Sequence, residues 1–133
     1  MSKTITVVLI MPQQDPKVLE IANELRELQT LVGGNIEAFY PFEDKPFVCF
    51  CNDEGKLNGM EPNWAWISER SFAVNDVIAG PIVVCGDTAD GTERSLTKSE
   101  IEFVVDFFSR NRCIDDIIIS RKFDFSRRKD KIV

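Results

Sequence analysis

The side chains best placed for chemistry in this sequence are Asn52, Glu54, Lys56, Asn63, Trp64, Trp66 and Asp76. They gather at three turn signals. Asn52-Asp53-Glu54-Gly55-Lys56 is one, the Pro62-Asn63-Trp64 corner is the second, and Asp76 stands just before an apolar run. Carboxylates, an amine and amides in this arrangement could meet the polar groups of a ligand or partner, with the indole rings stacking on a planar group. Asn and Asp beside glycine and proline are also ordinary turn residues, because their side chains bond to nearby backbone. The set therefore reads as turns first and as a ligand- or partner-binding surface second. No catalytic residue is assigned.

Much other chemistry is ruled out by residue type. The chain has no histidine, which excludes a Ser-His-Asp triad, a Cys-His pair, a histidine phosphorelay and most transition-metal sites. It has no Gly-x-x-x-x-Gly-Lys loop, and Gly33-Gly34 follows a helical pattern where a nucleotide-binding glycine turn precedes one. Asp87, Asp90 and Glu93 surround Gly91 but lack the alternating ligand order of a calcium loop, so they read as a solvated loop. Asp115 and Asp116 are consecutive and would point to opposite faces of a strand. Glu37 reads as a solvent-face strand residue. A Mg-dependent carboxylate hydrolase would need at least two of these acids to converge, which a sequence does not show.

Cys49, Cys51, Cys85 and Cys113 lie in apolar stretches and read as reduced core residues. Cys49 and Cys51 would share one strand face, where a soft metal needs two further ligands. No metal and no cofactor is expected.

Net charge and its placement bound the partners. Residues 1–120 carry ten Lys and Arg against twenty Asp and Glu, whereas residues 121–133 carry six against two. An acidic body argues against direct nucleic-acid binding. The basic tail reads as a solvated end. The longest apolar run, at residues 7–11, is too short to cross a bilayer. The start of the sequence lacks a cleavage-site pattern. A cytoplasmic location without membrane contact is expected.

The elements that must position these residues follow from periodicity and turn chemistry. Thr4–Ile10 reads as a buried strand ended by Pro12. Asp15-Pro16 opens a predicted helix with Val18, Ile21, Ala22, Leu25 and Leu28 on one stripe, stopped by Gly33-Gly34. Residues 35–40 and 47–51 read as strands. Residues 52–55 read as a turn with Gly55 at positive φ, returning the chain as a hairpin through residues 56–60. Trp64 and Trp66 would share a face in an extended chain. Residues 77–85 read as one strand bent or bulged at Gly80-Pro81, and residues 87–95 as a loop. Thr97-Lys-Ser-Glu100 is a capping box opening a second helix, with Ile101, Val104, Val105 and Phe108 inward. Phe103 and Phe107 widen that stripe and give a reason to expect a homodimer. Residues 114–120 are a last strand candidate, followed by Phe123 and Phe125.

These elements predict an α+β fold: one mixed or mostly antiparallel sheet of five or six strands under two helices, in the order β-α-β-β-β-β-α-β. Residues 1–126 form one domain, and residues 127–133 form a basic tail whose end is expected to be disordered.

The pattern Val32-Gly33-Gly34-x-Ile36-Glu37, Cys51-Asn52-Asp53-Glu54-Gly55-Lys56-Leu57, Pro62-Asn63 and Asp76-Val77-Ile78-Ala79-Gly80-Pro81 resembles a family of domains of unknown function. That family is found in phages, plasmids and integrative elements. Its members often carry a basic residue after the Pro-Asn pair, where this chain has Trp64. The resemblance implies a mobile-element setting and no particular reaction. With the acidic body and the shortage of catalytic residue types, it points to a non-enzymatic accessory binding protein that modulates or inhibits a host protein such as a defence factor. The alternative is a small-ligand or nucleotide-sequestering domain, with Trp64, Trp66, Tyr40 or Phe47 stacking on a base beside Lys56 and Asn63.

Overall fold

The structure, a computed structural model, describes residues 3–42, 44–67 and 74–110. Its elements in chain order are β1 (Thr4–Ile10), β2 (Lys17–Ala22), α1 (Leu25–Val32), β3 (Ile36–Phe39), β4 (Phe47–Asn52), β5 (Pro62–Ile67), β6 (Val74–Ala79), β7 (Ile82–Asp87), β8 (Glu93–Arg94) and α2 (Lys98–Arg110). Six strands make one sheet in the order β2-β1-β7-β4-β3, with β8 extending β7, while β5 and β6 form a separate ribbon. Every pairing is antiparallel. The fold is α+β, as the sequence predicts, with its strands divided between two sheets rather than held in one.

Strand alternation sends successive side chains to opposite faces, and the central strands bury both. Val8, Ile10, Cys49, Cys51, Ile82 and Val84 share one core with Trp64, Val104 and Phe108. Val7, Leu9, Val48, Phe50, Val83 and Cys85 share the other with Leu28 and Val32 of α1. Thus α2 and the β5–β6 ribbon cover one face and α1 covers the other. Two-sided burial is why these strands read as unbroken apolar runs.

The predicted helix from Asp15 is corrected over its first half. Lys17–Ala22 is a strand, paired with β1 from Thr4↔Ala22 to Leu9↔Lys17. Its apolar spacing fits a helix, yet the six residues in register with β1 and the β-branched Val18 and Ile21 favour the hairpin. Pro12 and Pro16 flank the turn, in which Gln13 has φ 58°. Only from Leu25 does the chain coil. Gly33 then ends α1 at φ 79°, its N–H donating to the Gln29 carbonyl at 2.8 Å.

Three further expectations change. The predicted hairpin return through residues 56–60 is a series of tight turns, with Asn58 N–H on the Glu54 carbonyl at 2.8 Å and Met60 N–H on the Gly55 carbonyl at 2.9 Å. β4 pairs with β3 and β7 instead. The predicted strand at residues 77–85 is two strands in different sheets, because Gly80 at φ 85° and Pro81 swing the chain out of the ribbon. The predicted loop at residues 87–95 contains β8, with Gly86↔Arg94 and Asp87↔Glu93 in register.

The capping box is as expected. Glu100 N–H donates to Thr97 Oγ1 at 3.2 Å and Thr97 N–H to Glu100 Oε1 at 2.8 Å. The Arg94 guanidinium clamps the same carboxylate through both terminal nitrogens, at 2.8 and 2.9 Å. The strand candidate at residues 114–120, Cys113, Asp115, Asp116, Phe123, Phe125 and the basic tail lie outside the described residues.

Candidate functional site

The motif residues meet at one junction. At the end of β4, Asn52 Nδ2 donates to the Val32 carbonyl at 3.1 Å, while its Oδ1 accepts from Glu54 N–H at 2.8 Å. This buried amide therefore ties the end of α1 to the start of the 53–60 turn. Asn63, fully buried, donates through Nδ2 to the Ile10 carbonyl and to the Gly80 carbonyl, both at 2.8 Å. It joins β1 to the break between β6 and β7. Each amide satisfies main-chain groups that burial would otherwise leave costly.

Glycine is needed at position 55 for space. Gly55 does not have the positive φ predicted for it; Gly59 does, at 73°. A Cβ at Gly55 would instead lie 2.6 Å from the Ala79 carbonyl oxygen.

Outside this junction lies a recess of about 300 Å³ between the 53–60 turn, β3 and β6. Its lining includes Glu37, Cys51, Asn52, Asp53, Glu54, Lys56, Leu57 and Asp76. Two register pairs bring the acids there: Glu37 stands opposite Cys51, and Trp66 opposite Asp76. Asp76 Oδ1 pairs with the Lys56 ammonium and accepts from Val77 N–H at 2.8 Å. With exposures of 62% and 43% for Lys56 and Asp76, this ion pair contributes at most about 1 kcal/mol. Leu57 stands at the rim with 84% of its surface exposed.

Cys51 forms the floor. Burial, then the negative charge of Glu37, Asp76 and Asp53, lifts its thiol to about 11 against the weaker opposing pull of Lys56. Burial foremost also raises Cys49, and lifts Cys85 to about 12. These thiols are protonated at neutral pH and are poor nucleophiles. Among the described residues no group of three Cys, Asp or Glu side chains could hold a metal ion. Cys49 and Cys51 do share a face, in the α2-side core.

Of the seven side chains singled out in the sequence, the recess collects Asn52, Glu54, Lys56 and Asp76. The other three lie elsewhere. Asn63 is in the junction. Trp64 is 3% exposed, packed on Phe39, Phe107 and Phe108 with ring centroids 5.3–6.4 Å apart. Trp66 is partly buried against Phe39 at 5.7 Å. Phe47 is buried, whereas Tyr40 is half exposed. Asp53 and Leu57 also belong to the recess, and their signal in the sequence is membership of the turn pattern; Cys51, which the sequence presents as a core thiol, joins them.

The loop around Gly91 is closed on itself. Asp90 accepts from Thr92 Oγ1 at 2.8 Å and Thr92 N–H at 3.1 Å, and also bonds Thr88 Oγ1. The hydroxyls of Thr88 and Thr92 hold its carboxyl down at about 2.

The family model of a domain of unknown function (DUF3846) matches residues 5–109, and the chain belongs to this family. No curated protein and no solved structure matches the chain. Among the described residues no helix is long and apolar enough to cross a membrane.

Proposed function

We propose that this DUF3846 member is a non-enzymatic accessory binding protein of a phage or mobile element, which docks its acidic recess on a basic patch of a cytoplasmic host protein. A defence factor is the kind of partner whose action such docking would modulate or inhibit. The observation that carries the reading is the recess, whose described lining holds four carboxylates, Glu37, Asp53, Glu54 and Asp76, and one ammonium, Lys56, paired with Asp76. Opposite potentials steer encounter and select the partner. The excess of acids over bases through residue 120 extends that field beyond the recess. The protonated thiols and the absence of imidazole leave the recess better suited to recognition than to proton transfer.

Capture from a host lysate by the tagged chain, at low and at moderate salt, tests this. The expected result is a basic partner whose recovery falls with salt and is lost in the Glu54→Gln, Asp76→Asn double variant. Recovery of no partner at either salt contradicts the reading.

The small-ligand reading has weaker support. Trp64 and Phe47, two of the rings offered for stacking, are packed in the core, and the recess repels phosphate. For the Mg-dependent reading, Glu37, Glu54 and Asp76 do line one recess, yet among the described residues no three acids are close enough for a metal.

A further inference from the structure

We infer that the recess takes an arginine side chain from the partner surface, its guanidinium replacing the Lys56 ammonium on Asp76. This inference rests on the recess being the docking site and names the group that enters it.

The recess already holds a cation of the chain's own. Lys56 reaches Asp76 from the 53–60 turn, and both side chains stay largely open to solvent. An exposed pair of this kind exchanges readily, since water and salt screen it and the lysine stem gains freedom on release. Among the described residues no other cation pairs with a carboxylate of the recess. Glu37, Asp53 and Glu54 therefore leave negative charge for an incoming group to neutralise.

Shape and chemistry favour arginine. The volume of about 300 Å³ is roughly ten times the share of one liquid water, enough for a planar head and part of its stem. The exposed Leu57 stands at the rim, an apolar surface against which an alkyl stem can lie. A guanidinium presents five donors in a flat fork and can bridge two carboxylates, whereas an ammonium is a compact, strongly hydrated point charge. Lys56 shows the limit of the latter: among the described residues it pairs with the Asp76 carboxylate alone.

Calorimetric titration of the full chain with a short arginine-bearing peptide and its lysine counterpart tests this at low salt. The arginine peptide is expected to bind roughly tenfold tighter. Lys56→Met should tighten arginine binding several-fold by removing the resident competitor. Lys98→Met should leave it unchanged. That lysine begins α2, beyond Arg94, which lies across Gly86 from Phe47 at the opposite end of β4 from Asn52. Asp76→Asn should weaken binding at least tenfold. Thermal melting of each variant checks the fold, and Glu54→Gln, at an exposed position, replaces Asp76→Asn if the latter melts early. Equal binding of the two peptides, or equal effects of Lys56→Met and Lys98→Met, overturns the arginine site. Capture of a partner insensitive to Asp76→Asn would overturn it too while leaving the binding reading in place, whereas failure to capture any partner removes the reading beneath it.

Discussion

The Gly55 backbone lies directly on the Ala79 carbonyl, so near that a Cβ would stand 2.6 Å from its oxygen. The turn carrying Glu54 and Lys56 is thereby pressed onto the end of the strand that begins two residues before Asp76. Gly55→Ala must push the two apart. It is expected to cost about 1–3 kcal/mol, read as a lower urea midpoint.

Asn63 bridges two strand ends from a fully buried position. Asn63→Ala removes the donor from the Ile10 and Gly80 carbonyls and should cost about 2–4 kcal/mol. Asn63→Asp should be at least as damaging, because a carboxylate cannot donate to either oxygen. Equilibrium unfolding of the two variants measures both. An unchanged midpoint would refute the junction.

The hydrogen bonds from Arg94, ahead of those from Thr97, hold the Glu100 carboxyl below its ordinary range. A folded-state pKa below the unfolded value gives stability that is complete above about 4.3 and is lost as pH falls through the folded value. The acid limb of the stability curve should therefore be shallower in Glu100→Gln than in the parent. Thr97→Ala, which removes the cap, should cost about 1 kcal/mol at neutral pH.

Cys49, Cys51 and Cys85 are buried thiols. At neutral pH a maleimide should label none of them in the native protein and all of them in guanidinium. Because burial raises Cys51 to about 11 and Cys85 to about 12, the stability they confer is intact below the unfolded thiol value of about 8.5. It is lost as pH rises through the folded values. Rapid native labelling at position 49, 51 or 85 would contradict this burial.

What was legible in the sequence follows from how local its cause was. Gly33 as a helix stop and Thr97 with Glu100 as a capping box need only residues within one turn, and both stand as predicted. Lys17–Ala22 was misread because its apolar spacing suits a helix as well as a strand, and the arbiter was pairing with β1. Gly55 was given a φ it does not have because a close approach to Ala79 depends on residues 24 positions away. Four of the seven flagged polar and aromatic residues share one recess, since they sit on the turn and strand the junction holds together. Trp64 was drawn into the core by the aromatic rings of α2 and β3, a tertiary choice with no local marker.

Backbone amide chemical-shift mapping during titration with the captured partner tests most directly whether the recess is where this chain binds. Shifts are expected to concentrate at Glu37, residues 51–57 and residues 76–79, and to shrink as salt is added. Shifts centred on Tyr40 and Phe103, with the recess resonances unmoved, would contradict that placement.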